Sequence, residues 1–350
     1  MFERIAPEQH DTLEGVPEPA ENPVLVGHGQ VGDALAAAYR SGKLHHALLF
    51  VGPQGIGKAT LAYHLANHLL AHVDHRNAPQ HLVTPNPASA LFRQIANGAH
   101  PSVLHLTRPL NDKTKSYKSA VTVDEIRKVS RFLSLTSHDG AYRVVIVDPA
   151  DDMNVNAANA LLKNLEEPPA RTLFILVAHS LGRLLPTIRS RCQIVRLNPL
   201  SDDEVLTVLE GFDTSLPEGE AEKAALVGNA GGSPRTAILL SQYGGLEIAD
   251  AFDRLMREGK VPVADAHKLA EVVAGRDQSV SFALLNDHAL ETLAAAAASA
   301  AHYGDLERAE RFSQAWQDLR IAISEADTYN LDRKQHALNM IFRLHDTLRM

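Results

Sequence analysis

Three short stretches run apolar or β-branched without polar alternation: residues 47–51, 144–147 and 172–177. Such runs suit strands buried on both faces of a parallel sheet. Between the second and third, Ala157, Leu161, Leu162 and Leu165 recur at helical spacing. Asn154 or Asn156 is the candidate cap of that helix, and Pro168-Pro169 stops it. Directly after 47–51, Leu61, Leu65, Leu69 and Leu70 mark another helix. Ahead of it, Val31, Leu35, Ala38 and Tyr39 share one helical face, so structure is expected to begin near Pro23. A strand-like QIVRL run closes the region at 193–197. Strand, helix, strand in this order predicts an α/β domain.

Beyond Pro199 the periodicity is helical. The run LSDDEVLTVLEGF and the helix before Gly231-Gly232-Ser233 suit a small helical lid, with Gly244-Gly245 as a hinge. Residues 294–301 are almost pure alanine, flanked by Leu284, Leu285, Leu290 and Leu293, which points to a close helix–helix contact. Leu306, Ala309, Phe312, Trp316, Leu319, Ile323 and Ala326 recur at three- and four-residue steps, and Leu338, Ile341, Phe342, His345 and Leu348 repeat the pattern. Stripes of this kind build antiparallel bundles. The expected organisation is a flexible acidic tail over 1–21, an α/β domain over 22–198, a helical lid over 199–245 and a helical domain over 246–350.

A length of 350 residues accommodates two or three cores. The net charge of −8 removes any global basic field, so contact with nucleic acid must be local or shared with partners. One cysteine, Cys192, excludes an internal disulfide framework and suits a reducing cytosol. The N-terminus lacks the basic and apolar regions of a secretory signal, and no run of about eighteen apolar residues occurs. A soluble, cytoplasmic protein is expected.

The candidate chemistry begins at GPQGIGKA, residues 52–59, which lies between a strand run and a helix. In that context glycines let backbone N–H groups converge on an anion, and the helix adds its positive end. Gly52, Gly55, Gly57 and Lys58 are the candidate phosphate-binding residues, with Lys58 reaching the β and γ phosphates. Ala59 stands where a Ser or Thr would ligate Mg²⁺, and Thr60, one residue late, points about 100° away on a helix. Asp148 ends a strand run and is the natural metal-side carboxylate, but Pro149 follows it and can neither accept a proton nor orient water. Asp151 and Asp152 are expected as surface or cap carboxylates. Phosphoryl transfer needs positioned Mg²⁺ and a positioned nucleophile, so turnover is not expected. Retained nucleotide binding stays open.

The sequence VDPADDMNVNAANALLKNLEEPPARTLFILVAHSLGRLLPTIRSRC resembles the AAA+ subunits of bacterial DNA polymerase III clamp loaders, whose pattern includes AANALLK-LEEPP and Ser-Arg-Cys. The resemblance extends from Val26-Gly27-His28, similar to the family's adenine-side loop, to Gly232-Ser233-Pro234-Arg235, similar to its sensor 2. It reaches NLDRKQHALNMIFRL, which is like the last helix of the oligomeric collar. It implies an AAA+ RecA-like P-loop domain, a helical lid and an all-α collar. Arg235 would then face a nucleotide at Lys58, or hold the lid in its absence. The family's gamma/tau subunits hydrolyse ATP with an intact Lys-Thr or Lys-Ser and a glutamate after the Asp. Its delta-prime subunit commonly has a degenerate site yet keeps Ser-Arg-Cys, and Ala59 and Pro149 favour that class. The chain also ends soon after the collar-like helix, without a tau-like extension.

By the same resemblance Arg191 is an arginine finger, reaching in trans to the γ-phosphate on a neighbouring subunit. A planar, permanently charged fork suits that task. The competing reading is an internal ion pair for Arg191, with Arg189 alongside. Cys192 is expected as a small buried filler. Implied partners are the gamma/tau and delta subunits, with the sliding clamp and primer-template DNA reached through the assembly. The alternatives are a gamma/tau-like ATPase and a stand-alone P-loop nucleotide kinase. The family commonly inserts a four-cysteine zinc module, whereas the stretch from Ala71 to His100 has no cysteine and only its PASALFRQIANGAHPSVLHL edge resembles that module. His64, His68 and His72, spaced by four, with His75 and His81 beyond, could instead meet a metal. The expectation is a polar helix face, no zinc, and at most weak ATP or ADP binding.

Overall fold

The computed structural model describes residues 4–111, 116–134, 140–212, 216–275, 278–329 and 331–349. Residues 1–3 of the expected tail, 213–215 of the expected lid and Asn330 at the head of the last helix motif lie outside them. The chain divides into two compact units: residues 1–214 with 231–235, and residues 215–230 with 236–350.

Five parallel strands organise the first unit: β1 (Ala47–Val51), β2 (Val103–Leu106), β3 (Arg143–Val147), β4 (Thr172–Ala178) and β5 (Gln193–Arg196), in the order β2-β3-β4-β1-β5. Alternation along the strands divides their side chains between two cores. Leu48, Phe50, Val144, Ile146, Leu173 and Ile175 face one core with α1 (Gly29–Arg40) and α2 (Lys58–Ala71). Leu49, Val145, Val147, Phe174 and Leu176 face the other, with α4 (Val123–Ser134) and α5 (Val155–Glu166). Burial of each such side chain contributes about 1.5–3 kcal/mol relative to exposure, which is why the three central strands read as unbroken apolar runs. Asn154 caps α5, its side chain accepting from the Ala157 N–H at 2.9 Å.

A helix α3 (Ala90–Ala96) precedes β2, and α6 (Pro186–Arg189) and α7 (Asp202–Gly211) complete the unit's helices. Two expectations need correction here. The segment over 4–21 is not a free tail: Glu18 and Glu21 are buried, and the Glu21 carboxylate accepts from the Ile5, Ala6 and Glu18 N–H groups at 2.8, 3.0 and 2.9 Å. Its acidic residues supply the hydrogen-bond acceptors that a short loop without a core requires. Nor does 199–245 form a separate lid. Residues 199–212 and 231–235 belong to the first unit. The Leu200 N–H donates to the Gly232 carbonyl at 3.0 Å, and Gly27 lies so close to Leu200 that a Cβ there would come within 2.2 Å of its Cδ2.

The second unit is helical: α8 (Glu220–Asn229), most of α9 (Pro234–Gln242), α10 (Gly245–Arg257), α11 (Val263–Ala274), α12 (Ser279–His302), α13 (Leu306–Tyr329) and α14 (Arg333–Arg349). Gly244, expected as a hinge, is the left-handed cap of α10 inside this unit. Phe252, Leu285, Leu293, Leu319 and Ile341 fill its core. The stripe of α13 is buried at Ala309, Phe312, Leu319 and Ala326, whereas Leu306 is exposed. The alanine run lies on α12, which packs along α13, and it is exposed or half-buried rather than core. No helix among the described residues is long and apolar enough to cross a membrane.

Candidate nucleotide-binding site

The carboxyl ends of β1, β3 and β4 lie side by side because these strands pair in register, Val51 opposite Ala178 and Val147 opposite Leu176. Open α/β sheets place ligands at such strand ends. From β1 the chain turns through Gly52 to Gly57 and enters α2 at Lys58. Gly55 and Gly57 have φ of +75° and +95°, a region that favours glycine. Gly55 carries a second constraint. A Cβ there would come within 2.3 Å of Arg235 Cβ and 2.5 Å of Ser233 Oγ, because the 232–235 turn rests on the loop. Ser233 Oγ donates to the Gln54 carbonyl at 2.8 Å.

Lys58 is folded back on its own loop, donating to the Gly52 carbonyl at 2.8 Å and to the Pro53 carbonyl. It is buried, and desolvation holds its pKa below the ordinary lysine value against the attraction of the Asp148 and Asp151 carboxylates. Burial pushes Asp148 the other way, above the usual carboxylate range, with Asp11 adding to the rise and His179 and Lys58 opposing it. Ala59 presents only a methyl group, and Thr60 is buried one residue further along α2. Pro149 follows Asp148 across a cis peptide bond. His28 meets the loop from the other side, its Nε2 lying 2.6 Å from the Ile56 carbonyl. Burial lowers its pKa, which favours the neutral ring with Nε2–H as donor.

Arg235 lies on the turn that rests on this loop, with its Cβ close to Gly55. Its Nη1 donates to the Asp11 carbonyl and lies 3.7 Å from the Asp11 carboxylate. Asp151 is buried rather than exposed, and caps the turn after β4 by accepting from the His179 and Ser180 N–H groups, each at 3.2 Å. Burial works to raise its pKa, but the His179 imidazole at 3.3 Å helps hold it below the usual range. Asp152 pairs with Arg108 and lies 3.8 Å from Arg183. Neither carboxylate is placed to serve as the acid that Pro149 replaces. These residues do not fit a hydrolysable Mg²⁺–nucleotide complex: the metal-side hydroxyl is missing, Lys58 satisfies carbonyls, and Arg235 is engaged by Asp11.

Arg191 lies on the corner between α6 and β5. Its Nη1 donates to the Thr187 carbonyl at 2.8 Å, and its Nη2 pairs with Glu166 at 2.6 Å. The internal ion pair is therefore present, but it is a surface one, with the arginine side chain 35% and the glutamate 49% exposed. Cys192 packs against the second core, and burial pushes its thiol up to about 12, the state of a filler rather than a nucleophile. Sequence reasoning missed Glu166, His179 and Asp11. Glu166 stands in the LEEPP run and His179 just past a strand run, whereas Asp11 carries no local signal.

The histidine series is not a solvated face. His64 bonds the Asn22 carbonyl at 2.9 Å, and His68 and His72 stack with ring centroids 5.0 Å apart. His68 is only 1% exposed, and among the described residues neither of its ring nitrogens has a hydrogen-bond partner. No group of three or more His, Cys, Asp or Glu disposed to hold a metal occurs among the described residues.

A parallel five-stranded sheet with a glycine loop between β1 and α2 defines a P-loop α/β domain. The family described as DNA polymerase III, delta subunit, matches residues 27–201, half of the chain, and the chain belongs to that family. It is 39% identical over 200 residues to the delta-prime subunit of DNA polymerase III from Pseudomonas aeruginosa, covering 57% of this chain and 56% of that one. With the delta-prime subunit of Escherichia coli K12 it shares 36% over 211 residues, 60% of this chain and 58% of that one. A DNA polymerase III gamma subunit of Buchnera aphidicola is 27% identical over 224 residues, 63% of this chain and 57% of that one. The chain thus matches little more than half the length of these relatives.

The isolated chain is expected to release no phosphate from ATP above a Lys58→Ala control in a colorimetric assay; clear release above that control would contradict the site geometry. A second expectation concerns pH. Burial, with the His72 and His81 imidazoles, holds the His68 pKa down to about 4, below the 6.5 of an unburied ring. As pH falls between those values the unfolded chain takes up the proton and the folded one does not, so stability present above 6.5 is lost towards 4. The loss attributable to His68 is about 3 kcal/mol. Urea unfolding from pH 7 to 4 should show a shallower decline in His68→Leu, and parallel profiles would contradict it.

Proposed function

We propose that this chain is the non-hydrolysing, delta-prime-type subunit of a DNA polymerase III clamp loader, working in the cytoplasm. It holds its place in a ring of subunits through the P-loop unit and through α10–α14, which serve as its collar. Gamma/tau and delta subunits are its direct neighbours. Their ATP binding and hydrolysis open the sliding clamp and set it on primer-template DNA. The chain itself needs neither zinc nor bound nucleotide for this role.

Family membership and the degenerate phosphate loop support the class. The observation that carries the mechanism is the placement of Arg191. A short helix and a strand flank it at a surface corner, and Glu166, its one ionic partner among the described residues, is itself half in water. A surface pair of that kind is worth about 0–1 kcal/mol, so exchanging Glu166 for a neighbour's γ-phosphate costs little. The guanidinium fork then stabilises charge on the transferring phosphoryl group in trans.

Arg191→Ala should lower the stability of the isolated chain by no more than about 1 kcal/mol and leave ring assembly by size exclusion unchanged. Clamp-stimulated ATPase of the assembled complex should fall, and should fall in Arg191→Lys as well. A complete finger is worth on the order of 10³-fold or more, and the bulk loss is smaller because a loader has several ATP sites. A large drop in melting temperature, with ATPase lost only through failed assembly, would leave Arg191 as a structural ion pair.

A further inference from the structure

The degenerate phosphate site has a neighbour that its sequence does not announce. Residues 4–21 close on themselves as a loop. Arg4 donates to Glu18 at 2.8 Å and to the Leu13 and Val16 carbonyls at 2.8 and 2.9 Å, while Glu21 gathers the Ile5, Ala6 and Glu18 N–H groups. The tip is a turn over residues 9–12, where the Gln9 N–H donates to Thr12 Oγ1 at 2.7 Å. Asp11 lies in that tip. Two anchors fix the tip beyond the carboxyl end of β2. Tyr117 donates its hydroxyl to the Glu8 carbonyl at 2.9 Å, and Thr107 Oγ1 lies 3.3 Å from His10 Nδ1. Asp11 then offers both its carbonyl and its carboxylate to Arg235, on the turn that rests against the glycine loop.

We propose that this N-terminal loop is the resident ligand of the degenerate site, with Asp11 engaging Arg235 as an anionic ligand would and keeping nucleotide polyphosphate out. Asp11 also raises the proton affinity of Asp148, which shows its negative charge is felt at the strand end where a phosphate–metal group would be held. An incoming polyphosphate meets that charge, finds Arg235 engaged, and competes with a tethered loop whose effective concentration is of millimolar order. The inference rests on reading the site as a phosphate loop and does not depend on Arg191 acting in trans.

The test uses the full chain and mant-ADP as the probe. Arg4→Ala with Glu21→Ala unpins the loop, and Asp11→Ala removes the charge at its tip. Hydrogen exchange should show the Ile5, Ala6 and Glu18 amides protected in the native chain and released in the double variant. Fluorescence titration should then give affinity for mant-ADP at least about tenfold tighter in the double variant, and tighter to a lesser degree in Asp11→Ala. Released amides with unchanged affinity would overturn the proposal, as would native affinity equal to that of the variants. Should the double variant fail to fold by circular dichroism, Asp11→Ala decides: tighter binding supports the loop as ligand, and unchanged binding rejects it. Neither result bears on assembled ATPase, so failure here is distinguishable from failure of the proposed function.

Discussion

Strand β1 is bonded on one side to β4 and on the other to β5, and its side chains are buried on both faces. That central placement fixes everything of chemical interest in the first unit. The glycine loop must leave from its end, Asp148 must directly follow β3, and His179 must leave β4 beside them. The Ser190-Arg191-Cys192 corner must close just before β5 so that Gln193 can pair with Leu48. A slip of one residue in any of these pairings would exchange the two cores, so the packing that stabilises the sheet also sets the site to within a side chain.

On that frame the glycine loop keeps the backbone shape of a phosphate loop while several of the usual side chains are replaced. The backbone features are in place: positive φ at Gly55 and Gly57, a helix starting at Lys58, and a half-buried carboxylate at Asp148. What is absent is side-chain chemistry, since Ala59 brings no hydroxyl and Pro149 no acid. The charges that remain are satisfied within the chain, Lys58 by carbonyls, Arg235 by Asp11 and Asp151 by two backbone N–H groups. A buried group left unpaired would cost several kcal/mol, so these internal partners let the shape persist without a ligand.

Much of this was legible in the sequence, for physical reasons. Strands β1, β3 and β4 are central and read as continuous apolar runs, and Asn154 declares the start of α5. The edge strand β2 was not legible, because VLHL is only half-buried and carries a polar His105. The N-terminal segment misled for a related reason. Its order comes from carboxylates accepting backbone N–H groups, and acid-rich, core-poor composition looks the same whether such bonds form or not. The lid boundary was misplaced because the decisive contact, Leu200 against Gly232, is backbone to backbone and leaves no periodicity. Arg191 was legible as a residue of interest, while its partner Glu166 emerged only from the fold.

The proposed role in a clamp loader requires Arg191 to act on a neighbour's ATP. The most direct measurement is single-turnover hydrolysis in an assembled loader in which only the ATP site facing this chain is intact and the others are disabled. With a single site under observation, Arg191→Ala should slow the turnover by on the order of 10³-fold, and Glu166→Gln should leave it near the native rate. A native rate in the Arg191→Ala complex, with the ring fully assembled, would contradict the account.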